Sequence, residues 1–177
     1  MKKLILSVFG FMVILCSTVH AQHVAYISRE VPKIDSSFKT YMGEHTMAKY
    51  APQHRFLAKW GYVDSNGFYR CSAEEDWGVK DDYYLVAMGS YYSTTLGDKF
   101  RITTDTGNVF YVALTEFKAN IHTDSKNQYS VNNKDIIEFV VDTSKLLRDV
   151  KYHGSANVYP PLSGRIAKIE EMNFIHE

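Results

Sequence analysis

Phe100-Arg101-Ile102-Thr103, Asp105-Thr106-Gly107-Asn108 and Val109–Leu114 follow one another in the middle of the chain. Apolar and polar residues alternate in the first segment, as they do in a strand with one buried face. The second segment has the composition of a tight turn, and the third is almost wholly apolar, which is typical of a buried strand. These residues predict two adjacent strands joined by a turn.

Further strands are predicted on both sides of this pair. Tyr83–Tyr92 is an apolar run that contains a Gly-Ser step, Ile136–Val141 is a second apolar run, and Ile166–Met172 is the last predicted strand. Polar residues, four of them Asn, predominate in residues 120–133 and indicate a long loop. Many short strands with few helices indicate a mainly β protein, and we predict a small β-barrel.

The N-terminal half carries weaker signals. Residues 22–50 have no clear period, and we expect an arm or irregular strands there. Pro52 fits the first turn of a short helix that Gly61 ends, and the Asn66-Gly67 pair predicts a hairpin. Later in the chain, Asp142-Thr143-Ser144 is expected to cap a second short helix. We divide the chain into an N-terminal extension, residues 22–82, and a barrel core, residues 83–177.

The first 21 residues have the pattern of an export signal. Lys2 and Lys3 precede the apolar run Leu4–Leu15, and Val19-His20-Ala21 offers small residues at a cleavage site. We expect cleavage after Ala21 and an exported protein, periplasmic or secreted. A membrane span needs about 20 apolar residues, so no integral membrane segment is expected in the mature chain.

Charge and cysteine content narrow the function classes. The chain has 20 Lys and Arg against 20 Asp and Glu, without a basic stripe, which argues against a nucleic acid partner. Cys71 is the only cysteine of the expected mature chain, so no internal disulfide is predicted. We find neither a Gly-x-Ser-x-Gly elbow nor a phosphate-binding Gly loop, and no cofactor is predicted.

Several short motifs resemble a known fold family. They are Leu96–Ile102, Gly107, Val109–Leu114, Glu116–Asn120 and Ile137–Asp142. Together they resemble the six-stranded double-psi β-barrel of the three-aspartate (3D) domain, which is related to rare lipoprotein A and to the membrane-bound lytic transglycosylases. The resemblance implies that barrel fold and a role at the bacterial cell wall.

A second resemblance is more specific. Ala87–Tyr92, Lys118–Asp124 and Glu138–Asp142 are similar to motifs of uncharacterised exported or mobile-element proteins of gut bacteria. Those proteins usually have Asp where this chain has Glu116 and Asn120. The resemblance therefore also implies a non-catalytic alternative, because Asn120 cannot ionise.

Glu116 is the leading candidate for a catalytic acid. It lies an even number of residues after Phe110, Val112 and Leu114, so a continuing strand would place it on the same face as these residues, at the rim of the apolar interior. Partial burial raises the pKa of a carboxyl group, as general-acid cleavage of a glycosidic bond requires. Lys118 has the same parity and is expected to pair with Glu116, which would oppose this effect.

Three more residues complete the predicted catalytic set. His122 and Asp124 lie two residues apart in the polar loop, where they either support proton transfer or order the loop. A metal site would need further ligands, and none is predicted. Glu138 lies inside an apolar strand, so it is either a buried acid or an ordinary solvent-facing one.

The predicted substrate-binding residues are Tyr91, Tyr92, Lys118 and Asn120. The two tyrosines either form a stacking platform for sugar rings or pack in and over the core. The first hypothesis is a lytic-transglycosylase-like domain that cleaves peptidoglycan glycan strands. The alternatives are a barrel that binds an envelope glycan or a protein without catalysis, and a component of a mobile-element or surface apparatus.

Overall fold

A computed structural model describes residues 22–73, 79 and 81–176. The expected export signal, residues 1–21, lies outside the described residues. Within them the chain forms one mixed sheet with two short α-helices, α1 (Pro52–Trp60) and α2 (Arg148–His153). The strands of the sheet are β1 (Gln22–Arg29), β2 (Thr40–Gly43), β3 (Tyr62–Val63), β4 (Tyr69–Cys71), β5 (Tyr83–Met88), β6 (Lys99–Thr104), β7 (Val109–Phe117), β8 (Glu138–Val141) and β9 (Ile166–His176).

The predicted central pair is confirmed. Strands β6 and β7 are antiparallel, with Phe100 opposite Val112 and Ile102 opposite Phe110. Phe100 and Ile102 are fully buried, as the alternating pattern predicts. Gly107 has a φ of 87°, in the region that favours glycine, and it closes the turn between the two strands.

Strand order gives a branched sheet rather than the predicted closed barrel. One path runs β1-β9-β6-β7-β5-β4-β3, while β8 pairs with both β5 and β2. The β5·β7 and β2·β8 pairs are parallel. One edge of β5 is shared, with β4 along its first half and β8 along its second half. The mainly β prediction is confirmed, but in the described chain the pairings do not close the sheet into a six-stranded cylinder.

Strands from residues 22–82 belong to the same sheet as those from the predicted core. β1 pairs with β9 along its whole length, where an arm or irregular strands were expected. The helix from Pro52 is confirmed, and the Gly61 N–H bonds the Leu57 carbonyl where the helix ends. The hairpin through Asn66-Gly67 is confirmed as the antiparallel pair β3·β4.

Both faces of the central strands are covered. Tyr84, Val86 and Met88 of β5 pack in the larger apolar cluster, while Tyr83 and Leu85 pack in a smaller one on the opposite face. Each cluster removes apolar surface from water, which is the main stabilising contribution to a fold of this size. Strand β5 is consequently buried along its whole length.

The second helix begins later than predicted. Helix α2 starts at Arg148, whereas Asp142 Oδ1 accepts hydrogen bonds from the backbone N–H and the hydroxyl of Ser144. Asp142 therefore closes a local turn and caps no helix, because the polypeptide continues as a turn up to Leu147.

No helix among the described residues is long and apolar enough to cross a membrane.

Candidate functional site

A β-bulge in β7 sets the direction of Glu116. Val86 lies opposite Leu114, but its neighbour Ala87 lies opposite Glu116, so Thr115 is an extra residue in the ladder. An extra residue reverses the alternation of side chains beyond it. Glu116 therefore lies on the opposite face of the sheet from Leu114, and the prediction from simple parity was wrong.

Ala87 separates two carboxylates on that face. Glu116 is its neighbour on β7 and Glu138 its neighbour on β8. Two strand spacings separate the Cα atoms of the glutamates, which are therefore about 10 Å apart. The small side chain of Ala87 leaves open space between them.

This space is a cleft of about 480 Å³. Four of the predicted site residues line it, and they come from β7, the segment after it and β8. The cleft is lined by Tyr41, Met42, Gly43, Thr46, Ala87, Glu116, Phe117, Lys118, Ala119, His122, Ser130 and Glu138.

Lys118 connects the cleft to a buried acid. Its Nζ lies 2.8 Å from Asp135 Oδ2 and 3.1 Å from Ser130 Oγ, and 3.6 Å from Glu138 Oε2. The Lys118 side chain is 4% exposed and that of Asp135 is 0% exposed, so the ion pair is desolvated. The expected partner of Lys118 was Glu116, but the bulge and the loop direct the ammonium to Asp135 and Glu138 instead.

Asp135 is further held by β2. The Thr40 hydroxyl donates a hydrogen bond to Asp135 Oδ2, the oxygen that also accepts from Lys118. The other oxygen, Oδ1, is buried and has no hydrogen-bond partner among the described residues. Asp135 thus carries a charge in a dry environment with only part of its hydrogen-bonding capacity used.

Glu138 has the environment of a proton-holding acid. Burial raises its pKa above the ordinary value, the negative charges of Asp135 and Glu116 raise it further, and Lys118 opposes the shift. The side chain remains 30% exposed, so it is accessible from the cleft. Val140, on the same face of β8, is buried in the smaller cluster. Of the two alternatives left open by the sequence, the structure supports a largely covered acid.

Glu116 has a different environment. Its Oε1 accepts a hydrogen bond of 2.8 Å from the backbone N–H of Phe117. The residue is half-buried and lines the same cleft as Glu138. It is therefore placed to act as the second carboxylate of the site.

His122 also lines the cleft, at the end of a short 3-10 helix, Asn120–His122. Its side chain is exposed, and its backbone carbonyl accepts a hydrogen bond from Val131. Among the described residues, no group of three or more His, Cys, Asp and Glu side chains is arranged to hold a metal ion.

Asp124 lies outside the cleft and orders the loop. Its carboxylate accepts backbone N–H bonds from Lys126, Gln128 and Tyr129 at 3.1, 2.5 and 3.1 Å. Burial alone would raise its pKa, but these donors outweigh that effect and the pKa is lowered. An ionised carboxylate committed to backbone groups is unsuited to donate a proton, so the loop-ordering alternative fits its position.

The segment Gly89-Ser90-Tyr91-Tyr92 packs against the polar loop of residues 120–133. A Cβ atom at Gly89 would lie 1.9 Å from the Asn127 carbonyl oxygen, so the close approach requires glycine. Ser90 Oγ bonds Asn120 Oδ1 at 2.9 Å, and Tyr91 N–H bonds the Asn127 carbonyl. The motif and the loop therefore fix each other's positions.

Neither tyrosine faces the cleft. Tyr92 is 2% exposed and packs in the larger cluster, so it cannot stack on a sugar ring, while Tyr91 lies edge-on against it at 5.1 Å between ring centroids. The pair follows the core-packing alternative. Asn120 is exposed but is not among the residues that line the cleft.

Sequence reasoning did not identify Asp135, Thr40 or Ser130. Of the three, Asp135 had the strongest signal in the sequence, because it directly precedes the apolar run Ile136–Val141. Thr40 comes from the parallel pairing of β2 with β8, which no local pattern predicts.

Comparison of the chain with protein-family models, with curated proteins and with solved structures finds no significant match.

Proposed function

We propose that the cleft cleaves glycosidic bonds of an envelope glycan, with peptidoglycan as the expected substrate and Glu138 as the general acid. The observation that carries the proposal is the pair Glu138 and Glu116 flanking Ala87 in one open cleft. Glu138 has the raised pKa that a proton donor needs. The peptidoglycan assignment and the relation to the double-psi families rest on the motif resemblance and on the expected export signal.

The chemistry follows from the two acids. Glu138 donates its proton to the leaving glycosidic oxygen as the bond to the anomeric carbon breaks, and Lys118, 3.6 Å away, then stabilises the Glu138 carboxylate. In a lytic route, a hydroxyl of the same sugar attacks the anomeric carbon and returns its proton to Glu138. In a hydrolytic route, Glu116 takes a proton from an attacking water. Both routes conserve protons and need no cofactor.

Lys118 also supports a second candidate, a glycan-binding site without catalysis. Its ammonium opposes protonation of Glu138, and an ionised Glu138 would accept sugar hydroxyl hydrogen bonds without donating a proton.

Digestion of purified peptidoglycan separates the candidates. We expect soluble fragments, which mass spectrometry assigns to anhydro ends for the lytic route or to reducing ends for the hydrolytic route. Glu138→Gln should lower the rate of product formation by about 100-fold or more. Glu171→Gln is the matched control, because this glutamate also pairs with a basic residue, Arg29, but lies outside the cleft.

Absence of products with the unaltered protein, together with sedimentation of the protein with peptidoglycan, would favour the binding candidate. Full activity of Glu138→Gln would refute Glu138 as the acid. If Glu116→Gln loses only the reducing-end products, Glu116 is the residue that activates water.

A further inference from the structure

The buried ion pair behind the cleft suggests a role for Asp135 beyond stability. The Lys118 ammonium has three N–H donors. Two are used by Asp135 Oδ2 and Ser130 Oγ, at 2.8 and 3.1 Å, and Glu138 Oε2 lies farther away, at 3.6 Å. Lys118 is therefore shared unequally between two carboxylates, and Asp135 has the closer contact.

The unequal sharing matters because the site is dry. In a desolvated site a full positive charge 3.6 Å from a carboxylate would hold that carboxylate ionised. Asp135 cancels much of the Lys118 charge at Glu138. The Thr40 hydroxyl fixes the same Asp135 oxygen from β2, so the acid cannot rotate away without losing both contacts.

We propose that Asp135 is a positioning residue of the cleft: it draws the Lys118 ammonium away from Glu138 and so keeps Glu138 able to hold and donate a proton. The inference rests on the proposed function of Glu138. The charged and titratable groups that face Glu138 are Lys118 and Glu116 from β7 and the segment after it, Asp135 from the segment before β8, and His122 from the 3-10 helix. The neighbouring strand β2 adds one titratable group, Tyr41, whose hydroxyl donates a hydrogen bond to the Lys151 carbonyl. It also adds Met42 and Gly43 to the lining of the cleft, and its Thr40 lies opposite Glu138.

Asp135→Asn tests the charge with little change of shape. The amide oxygen can still accept from Thr40 and Lys118, but the negative charge is gone. We expect the pKa of Glu138, followed by NMR of its carboxyl carbon, to fall by about one pH unit or more. The high-pH limb of the pH–rate profile for glycan cleavage should move down by the same amount.

A second variant distinguishes a change of charge from misfolding of Asp135→Asn. Asp135→Asn combined with Lys118→Met removes both charges and leaves no uncompensated buried ion. If charge sharing is the cause, the pKa of Glu138 in this double variant returns towards or above that of the unaltered protein.

The outcomes are distinct. An unchanged Glu138 pKa in Asp135→Asn, or an equally low value in the double variant, would overturn the inference. If the unaltered protein releases no products, the proposed function fails, but the NMR titration still decides whether Asp135 controls the proton on Glu138. A shifted pKa with an unshifted pH–rate profile would overturn the positioning role.

Discussion

Lys39 and Lys118 are both buried lysines, but their ammonium groups have different partners. Lys39 is 0% exposed, and the hydrogen bonds of its Nζ to described residues all go to neutral oxygens: Asn157 Oδ1 at 3.1 Å and the carbonyls of Ser37 and Gly164 at 3.3 and 2.5 Å. Lys118 instead contacts the carboxylate of Asp135.

The difference separates a structural lysine from one with an electrostatic role. Burial lowers the pKa of Lys39 to about 8, because its neutral partners do not replace the solvation of the charge, and the more distant Asp105 and Asp35 only oppose the shift. Lys39 ties three chain segments together. Lys118, paired with an acid beside an open cleft, controls the charge that Glu138 experiences.

Loss of each lysine should therefore have unequal effects. Lys118→Met leaves the buried Asp135 carboxyl without its cationic partner, and we expect the free energy of unfolding to fall by about 3–5 kcal/mol. Lys39→Met removes a cation that burial already disfavours, and we expect a smaller loss, about 1–2 kcal/mol. Urea unfolding at pH 7 measures both, and a larger loss for Lys39→Met would break the distinction.

The pH dependence of stability should report Lys39. Its pKa is about 8 in the folded protein and 10.5 in the unfolded chain. Between these values the unfolded chain binds more protons than the folded one, so stability rises with pH, by about 1.5 kcal/mol between pH 8 and 9.5. Burial raises the pKa of Tyr84 from 10.0 to about 12, so ionisation of this tyrosine in the unfolded chain lowers stability as pH rises from about 10 to about 12.

Lys39→Met is the matched test of this pH effect. The rise in the free energy of unfolding between pH 8 and 9.5 should disappear in the variant, as measured by urea titrations at each pH. A rise of the same size in Lys39→Met would show that another group is responsible.

How far the sequence could predict these features depends on how local each one is. The β6·β7 pair and helix α1 were predicted because alternation, turn residues and the Pro52 and Gly61 signals act over a few neighbouring residues. The bulge at Thr115 reversed the predicted face of Glu116, because it depends on pairing with β5.

The candidate site was only partly predictable for the same reason. Glu116, Lys118, His122 and Glu138 were selected by residue type and motif, and they do line one cleft. Asp135 was not selected, since its burial follows from the long-range pairing of β8 with β2 and β5.

Glu138→Gln tests how the charge of Glu138 in the cleft affects stability. The raised pKa of Glu138 means that the folded protein disfavours the charged form of this side chain. Protonated Glu138 therefore favours the folded state below the ordinary pKa of 4.5, and this contribution is lost as pH rises through the pKa of the folded protein. At pH 7 the free energy of unfolding of the neutral variant should therefore equal that of the unaltered protein or exceed it by about 0.5 kcal/mol. Thermal unfolding at pH 7 checks this, with Glu171→Gln as the control that loses an ion pair.

The smallest effect is expected at Asp105, which acts on Lys39 through space. Its negative charge raises the pKa of Lys39 against the effect of burial, and its Oδ1 accepts the backbone N–H of Arg165 at 2.8 Å. Asp105→Asn keeps an acceptor for that bond but removes the charge. The pH at which stability begins to rise should then move down by about 0.3 units, as expected for a solvent-screened interaction. An upward movement would contradict this account, because it would mean that removing an acid favours the charged form of Lys39.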